Sequence, residues 1–363
     1  MAKASRTASL RDHLLQAMAE QRIPLGSRLP SETELMQKFS LSRSSVRQVL
    51  AELSVSGWVE RRQGLGTFHV AGNRREPAKS QRTMLVGVWF NWPSGPLFSP
   101  MVDGIREELA EWRYHAVFED GGFDVGAEAK GVEALVQKTL DGFIVAPSSN
   151  PADDHRPLEQ LIARKVPLVL VDRPLPGHPA DVVMTANELG AEEVVQYLIE
   201  LGHRRIAFIG SGGLASVDDR LRGYRLAMRR AGLTIDEAWL QADQTAGEDS
   251  GRRAANLLLD LPADRCPTAI FCANDIIGMT VGMVARSRHI RVPDQLSIAG
   301  FDDIVPTAEH EPWLTTYAQP KRRIGQQAAR LLLQRISSPG ANPVTLLLQG
   351  SLVKRGSTAP PAA

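Results

Sequence analysis

The chain has 363 residues, of which 43% are apolar and 23% charged, and its formal net charge is +1. This length suggests two or three folding units, and the composition is ordinary for a globular protein. The chain has neither the roughly 18-residue apolar stretch of a transmembrane helix nor an apolar segment near its start. We therefore expect no membrane span and no secretory signal, and a cytoplasmic location.

The charges are distributed unevenly along the chain. Residues 1–82 hold 14 Lys and Arg against 7 Asp and Glu, whereas residues 83–363 hold 28 against 34. A basic head on an acidic body is expected if only the head contacts a polyphosphate such as DNA. A solvated, mildly basic surface would give the same counts.

Two helices are predicted in the first 40 residues. Apolar residues at helical spacing indicate an amphipathic helix from about residue 7 to residue 22. After a loop bounded by Pro and Gly, Ser31 and Glu34 have the spacing of a capping box, in which Ser31 caps a second helix and Glu34 reaches back to its backbone. This short helix turns Leu35 inward and ends near Ser40.

A third helix, with Ser42 as its candidate N-cap, has the composition of a DNA-reading helix. Arg43 and Arg47 are four residues apart, so they project from one side of the helix. Arginine can bridge guanine O6 and N7, while serine hydroxyls and the helix N-terminus take phosphates. The first turns therefore predict DNA contacts from Ser42, Arg43, Ser44, Ser45 and Arg47. An amphipathic surface helix with two arginines is the simpler alternative.

The segment from Trp58 to Val70 reads as two short strands around Gly64 and Gly66, where glycine permits a tight turn. Arg61, Arg62 and Gln63 lie next to the tip of this hairpin. A basic hairpin after a reading helix is a wing, so the three helices and the hairpin favour DNA binding over the simpler alternative.

Residues 71–82 have the composition of a linker, because they are polar, hold four basic residues and could not form a core. From residue 83 onward, short apolar runs alternate with helical segments, which predicts parallel sheets with helices on both faces. The seven expected strands are Leu85–Phe90, Ala116–Phe118, Phe143–Ala146, Leu168–Val171, Ile206–Ile209, Ala269–Cys272 and Ser297–Phe301. The expected helices include Met101–Trp112, Ala191–Leu201, Leu221–Ala231 and Ile276–Arg286.

The main alternative is an enzyme, such as an NAD-dependent or sugar-modifying protein with a basic appendage. Gly210-x-Gly212 after a strand resembles part of a dinucleotide-binding fingerprint, but it comes mid-body and lacks an acidic residue at the end of a following strand. No other catalytic motif occurs, so no catalytic residue, cofactor or metal is expected. Cys266 and Cys272 are expected to be free thiols, because two cysteines form no disulfide framework.

The head resembles the winged-helix domain of the GntR family over about 40 residues, LPSETELMQKFSLSRSSVRQVLAELSVSGWVERRQGLGTF. The family pattern is L-P-S-E-x-x-L, then S-R-x-[ST]-V-R, then G-x-G-T-F. By position, the resemblance implies groove and phosphate contacts from Arg43, Ser44, Ser45 and Arg47. It also implies a phosphate contact at Ser31, a backbone contact at Arg28, and Gln63 and Gly64 at the wing tip.

The body resembles the sensor domain of the LacI family, which is similar to periplasmic sugar-binding proteins. The carrying segments include VPLVLVDRP, NELGAEEVVQYLIELGHRRIAFIG, AIFCANDIIGMTVG, VPDQLSIAGFDDI and LTTYAQP. The resemblance implies a winged helix-turn-helix in residues 1–70 followed by a two-lobed α/β domain in residues 83–358. The first lobe would comprise about 83–184 plus 319–345, and the second about 185–318 plus 346–358.

In that fold the ligand lies in the cleft between the lobes. The resemblance implies a pocket suited to a polyol, with carboxylates, amides and Arg220 forking onto two oxygens. Phe98 is the expected stacking platform, although Trp89, Phe90 and Trp92 cluster nearby. The polar lining would be Asn91, Asp172, Arg220, Asn274, Asp302 and Gln319. Asn274 and Asp302 could instead be helix caps or turn formers. Ala246 stands where the family often has an aromatic residue.

The lactose-type hinge helix has no counterpart before Met84, so the combination resembles arabinose-repressor-type regulators. We therefore expect a homodimer that binds a pseudo-palindromic operator in double-stranded DNA, one head per half-site. A small-molecule effector, a sugar or sugar derivative, would bind in the cleft and weaken operator binding, with corepression as the alternative sign. A constitutive DNA-binding protein whose body only dimerises is a second alternative.

Overall fold

The computed structural model describes residues 2–20, 22–55, 58–62, 66–70, 82–119, 121–122, 124–149, 152–211, 213–243, 248–304 and 313–362. The chain divides into two compact units, Met1–Arg82 and Thr83–Ala363. Within the described ranges, no helix combines the length and apolar character needed to cross a membrane.

In its described residues the first unit, the head, contains three helices and two antiparallel strands. Its elements are α1 (Ala2–Ala19), α2 (Glu32–Phe39), α3 (Arg43–Val55), β1 (Val59–Arg62) and β2 (Gly66–His69). The first helix starts earlier and ends sooner than predicted, because good helix formers extend it at the start and Pro24 follows its end. The predicted apolar faces of the three helices meet in one buried cluster with Val59.

The second unit, the body, begins with a parallel sheet in the order β13-β7-β6-β5-β3-β4. Side chains alternate between two apolar clusters, so the sheet is covered by helices on both faces. The elements of this first lobe are β3 (Leu85–Trp89), α4 (Ser99–Glu111), β4 (His115–Glu119), α5 (Ala127–Val136), β5 (Gly142–Val145), α6 (Arg156–Ala163), β6 (Leu168–Val171) and β7 (Asp181–Thr185).

The second lobe repeats the arrangement with the strand order β14-β12-β11-β10-β8-β9, parallel except for β14. Its elements are α7 (Asn187–Glu200), β8 (Ile206–Ser211), α8 (Ala215–Arg230), a 3-10 turn (Glu237–Trp239), β9 (Leu240–Asp243), α9 (Glu248–Leu259), β10 (Ala269–Cys272), α10 (Asp275–Ser287), β11 (Ser297–Asp302) and β12 (Thr315–Ala318). The chain then returns through α11 (Lys321–Ser337) and β13 (Thr345–Leu348) before it ends with β14 (Ser351–Val353).

Three crossings connect the lobes, after β7, after β12 and after β13. The last crossing lies later than the sequence boundary at residues 345–346. Thr345–Leu348 pairs in parallel with Val182–Thr185 of the first lobe, so the chain leaves that lobe only after Leu348. All seven predicted strands are present. The described part of the body has five further strands, of which β9, β13 and β14 lie at sheet edges.

In the first lobe, α4 and α11 pack through two glycines. A Cβ atom on Gly104 would lie 2.1 Å from the Arg322 carbonyl oxygen, and one on Gly325 would lie 2.0 Å from the Met101 carbonyl oxygen. The two backbones therefore touch directly, and α11 is joined closely to α4 immediately after the second crossing.

We expect Gly325→Ala to destabilise the protein by roughly 1–3 kcal/mol, because a methyl group would overpack the α4–α11 contact. Gly251→Ala in α9 is the matched control, since its Cβ would meet only side-chain atoms at 3.5 Å or more. It should be neutral or stabilising, as alanine favours helix. Urea unfolding measures both, and equal effects of the two substitutions would contradict the packing described here.

Candidate functional site

Ser31 begins α2 with the predicted capping box. The Ser31 hydroxyl accepts from the Glu34 amide at 3.3 Å, and the Glu34 carboxylate accepts from the Ser31 amide at 2.7 Å. Both carboxylates of this first turn, Glu32 and Glu34, lie at the positive end of the helix. The start of α2 is thus a fixed platform beside α3.

Glu32, which the sequence analysis did not single out, gathers three arginines from α3 and the wing. Its carboxylate lies 3.1 Å from Nε of Arg43, 3.1 Å from Nε of Arg47 and 3.3 Å from Nη2 of Arg61. Burial raises the pKa of Glu32, but the hydrogen bonds from Arg43 and Arg47 outweigh it, and the net shift is downward. The arginine side chains remain 49–67% exposed. The Glu32 carboxylate therefore holds three arginine side chains together on one exposed surface of the head.

The serines at the start of α3 divide into two groups. The Ser42 hydroxyl accepts from the Ser45 amide at 3.3 Å, which is the predicted cap, and Ser44 is exposed. Ser45 is only 6% exposed and its hydroxyl lies 2.9 Å from that of Ser42. The helix turns Ser45 to the same side as the core residue Val49. Its contact with DNA stays a prediction, as do those of the other head residues.

Arg28 belongs to the wing surface. The backbone of Arg28 forms an isolated antiparallel β-bridge with Phe68 of β2. Its Nε lies 2.6 Å from the position that a Cβ atom on Gly66 would occupy. Gly66 has φ +118°, so its lack of a side chain permits both the backbone turn and this contact. Gln63 and Gly64, the predicted wing tip, lie outside the described residues, as does Ala246.

In the body, two aspartates occupy equivalent places in the two lobes. Asp172 directly follows β6 and Asp302 ends β11, and both are buried with left-handed backbones, φ +69° and φ +108°. Each is bound by an arginine: Arg173 donates to Asp172 at 3.0 and 2.5 Å, and Nη1 of Arg220 lies 3.2 Å from Asp302. Left-handed backbone in residues other than glycine concentrates at functional sites.

The negative charge of Asp172 affects the pKa of Asp302. Burial raises the pKa of Asp302, Arg220 and a hydrogen bond from Gln319 lower it, and the negative charge of Asp172 raises it again. Because Asp172 belongs to the first lobe and Asp302 to the second, the two carboxylates interact across the cleft. This position, beyond the carboxyl ends of the strands, is where open α/β sheets bind ligands.

Gln319 and Arg220 complete the polar network. The Gln319 amide donates to Asp302 at 2.6 Å and accepts from the Thr185 hydroxyl at 2.5 Å. Arg220 donates through Nε to Asn187 at 2.9 Å and through Nη1 to the carbonyl of Ala273 at 2.5 Å. The predicted fork onto a ligand is therefore partly used by the protein. Among the described residues, the two N–H groups of Nη2 have no hydrogen-bond partner. Thr185 and Asn187 were not predicted, because the contacts that place them in this network come from residues far away in the sequence.

Asn274 is the N-cap of α10, which the sequence analysis gave as the alternative to a ligand contact. Its side-chain oxygen accepts from the Ile277 amide at 2.9 Å. Its neighbour Asp275, which was not predicted, is buried and accepts from the Thr316 hydroxyl at 2.5 Å and from the Ile304 amide at 2.7 Å.

Phe98 stacks on Phe90 with ring centroids 4.9 Å apart inside the first lobe's core. Asn91 follows β3 and is partly exposed. The contacts of all seven predicted lining residues with a ligand stay predictions.

Comparison with known proteins gives a family match for the head and another for the body. A model of bacterial regulatory proteins of the gntR family matches residues 6–68, and one of the periplasmic binding protein-like domain matches residues 195–358. The HTH-type transcriptional regulator DegA of Bacillus subtilis is 32% identical over 281 residues, which cover 77% of this chain and 82% of DegA. The chain belongs to the LacI-type transcription regulators and carries a GntR-type head.

Two further relatives of this regulator extend the comparison. The arabinose metabolism transcriptional repressor of Geobacillus stearothermophilus is 29% identical over 354 residues, 96% of each chain. The structure of the transcriptional regulator CelR in complex with cellobiose superposes with a TM-score of 0.66 at 29% identity, covering 87% of this chain and 91% of that one. The regulator is thus a DNA-binding protein with a domain that binds a small molecule.

Asp275 predicts a pH dependence of stability. Burial, followed by the charge of Asp302, raises its pKa from 3.8 to about 7. Between these values the folded state keeps the proton and the unfolded state releases it, so the contribution of Asp275 to stability falls as pH rises from about 4 to about 7. In Asp275→Asn the amide oxygen can accept from the Ile304 amide and the amide nitrogen can donate to the Thr316 hydroxyl. The variant should gain stability relative to the natural protein as the pH rises, by at least about 1 kcal/mol at neutral pH.

Thermal unfolding of the natural protein and of Asp275→Asn across this pH range measures the effect. Asp294→Asn, which alters an ion pair with a 65% exposed carboxylate, should show no such trend. A difference between Asp275→Asn and the natural protein that does not change with pH would rule out the proposed titration.

Proposed function

We propose that this regulator is a sugar-responsive repressor, which binds operator DNA through the arginine face of its head and releases it when a sugar or sugar derivative occupies the cleft. The observation that carries the proposal is the position of Gln319. Its amide joins Asp302, a cleft residue, to Thr185 at another crossing. A ligand that contacts Asp302 would therefore act directly on the connections between the lobes, and a shift of the lobes is the event that can alter operator affinity.

The DNA-binding half of the proposal rests on Arg43, Arg47 and Arg61. Exposed ion pairs are weak, so the three arginines can exchange Glu32 for phosphates and base edges at little cost. Arginine is the residue that reads guanine most often, because its planar fork matches O6 and N7.

We expect Arg47→Ala to weaken specific operator binding by about 1–3 kcal/mol and to lower the salt dependence of binding. Arg47→Lys should retain the salt dependence and still lose specificity, because it keeps the charge and removes the fork. Arg222→Ala in the body is the control. Fluorescence anisotropy with operator and scrambled duplexes measures all three, and an Arg47→Ala variant with unchanged discrimination would contradict this role.

A second copy of the chain is the proposed partner of the body. α9 and α10 carry exposed apolar side chains: Leu257 is 60% exposed, Met283 50% and Ile276 39%. Trp313, 39% exposed, packs its ring at Gly282 beside Met283. Apolar side chains exposed along neighbouring helices are typical of subunit interfaces.

Met283→Asp should convert a dimer into a monomer, because it would bury a charge in that interface. Sedimentation equilibrium of the variant and of Leu189→Asp, an exposed apolar residue on α7 (51%), distinguishes this surface from a general loss of apolar area. A Met283→Asp variant of unchanged mass would exclude the α9–α10 face as the interface.

A further inference from the structure

The body has a second cavity, a groove of about 480 Å³ beside the crossings between the lobes. Helix α7, which begins directly after the first crossing, forms one wall, and β12 and the third crossing contribute to the other. None of the predicted cleft residues lines this cavity, and its volume is in the range of small-molecule sites. We call it the crossing groove, and its lining includes Leu189, Glu193, Gln196, Tyr317 and Gly350.

Tyr317 lines the crossing groove although it is only 1% exposed. Its hydroxyl oxygen accepts from the Gly350 amide at 2.9 Å, which is the one hydrogen bond of this hydroxyl within the described part of the chain. The hydroxyl proton therefore has no acceptor among the described residues, and a buried donor without an acceptor is costly. A ligand in the groove that carries an acceptor would remove this cost.

The charge at the crossing groove is negative. Glu193 is exposed and forms no ion pair or hydrogen bond with the described residues. Arg230 also lines the groove, but its guanidinium is paired with Glu192. Burial raises the pKa of Tyr317, the hydrogen bond from Gly350 lowers it, and the negative charge of Glu193 raises it again. The Glu193 carboxylate therefore acts on the Tyr317 hydroxyl, and it would attract a cation and repel an anion at this place.

Tyr317 also connects the crossing groove with the crossings and with the cleft. A Cβ atom on Gly190, in the first turn of α7, would lie 2.6 Å from Cε1 of Tyr317, and one on Gly350 would lie 2.8 Å from the same atom. The Tyr317 ring stacks on Phe301 with centroids 4.8 Å apart, and the Arg220 guanidinium lies 3.8 Å from the centroid of Phe301. A ligand that holds Tyr317 thus acts on the chain at all three crossings, because β12 itself leads into the second.

We infer that the crossing groove is a second ligand site, separate from the cleft, for a small organic cation that also carries a hydrogen-bond acceptor. The cationic group pairs with Glu193, and the acceptor takes the proton of the Tyr317 hydroxyl. The aliphatic chain between them lies against Leu189, which is 51% exposed. Amino alcohols are the simplest compounds of this class. The site stands on its own contacts and does not depend on the proposed function of the cleft.

The first test separates the two requirements with four compounds that share a four-carbon chain: 4-amino-1-butanol, n-butylamine, 1,4-butanediol and 4-hydroxybutyrate. Ligand-observed NMR titration of the full chain measures their dissociation constants. We expect the amino alcohol to bind at least about threefold more tightly than the amine, which lacks the acceptor, and than the diol, which lacks the charge. The anion should bind most weakly. Absence of saturable binding by the amino alcohol, or equally tight binding of any of the other three, would overturn the inference.

The second test assigns this selection to residues. Glu193→Gln should abolish the preference for the amino alcohol over the diol, because it removes the charge. Tyr317→Phe should abolish the preference for the amino alcohol over the amine, because it removes the hydroxyl and keeps the ring. Glu133→Gln, which removes an exposed helical glutamate from α5 of the first lobe, is the matched control and should change neither preference. Preferences that survive Glu193→Gln, or that Glu133→Gln alters as much, would show that the cation binds elsewhere on the acidic surface.

Gln196→Lys keeps the inference testable if Tyr317→Phe does not fold. Gln196 is exposed and donates to Glu200 one helical turn away, at 3.2 Å, and lysine suits the same spacing. The new ammonium group should take the place of the ligand's cation in the groove and abolish binding of 4-amino-1-butanol. Full binding by this variant would overturn the inference.

Amide hydrogen exchange locates the bound amino alcohol in the natural protein. Saturating 4-amino-1-butanol should slow exchange in residues 315–319 and 349–353, because it holds Tyr317 and the Gly350 amide bound to it. Unchanged exchange in both segments, at a concentration where the titration shows saturation, would contradict the contact with Tyr317.

Discussion

The side-chain amide of Gln319 links the two lobes at the centre of the body. Gln319 lies at the second crossing, accepts a hydrogen bond from Thr185 at the end of β7, and donates one to Asp302 at the end of β11. All three side chains are buried, so neither hydrogen bond can be replaced by water without cost. The same two hydrogen bonds therefore fix the position of Asp302 in the cleft and the positions of two crossings. A movement of Asp302 also moves these connections between the lobes.

The second crossing leads straight into α11, whose first residue, Lys321, holds the carbonyl oxygens of Asp302 and Asp303. α11 in turn touches α4 backbone to backbone through Gly104 and Gly325. Densely packed elements of this kind shift as units and do not deform continuously. A change at the cleft thus has a short, rigid route into the first lobe.

The two proposed binding surfaces differ in the strength of their ion pairs. Glu32 holds its three arginines at an exposed surface, where ion pairs contribute little and can exchange for DNA phosphates. Asp172 and Asp302 hold theirs in a buried cleft, where removal of one partner leaves a costly charge. The first arrangement suits reversible contact with many phosphates, and the second suits stringent choice of a small ligand.

Local patterns in the sequence predicted much of this architecture. The capping box at Ser31, α3 and the seven strands all depend on neighbours a few residues apart. Asp172 and Asp302 were predicted from the resemblance to the LacI family. The interactions that were missed depend on residues far apart in sequence. Glu32 reaches Arg61 only because the wing folds back, Thr185 meets Gln319 across 134 residues, and the burial of Ser45 follows from how α3 packs. Asn274 shows the converse, since a local capping rule predicted its hydrogen bond with the Ile277 amide.

The most direct test of the account is operator affinity measured by fluorescence anisotropy while a neutral sugar that binds the body is titrated, with the natural protein and with Gln319→Ala. The account predicts that the sugar weakens operator binding by the natural protein, and that the variant, which has lost the link between Asp302 and Thr185, still binds operator with a much smaller response. Operator affinity that is independent of the bound sugar in the natural protein, or a full response in Gln319→Ala, would contradict it.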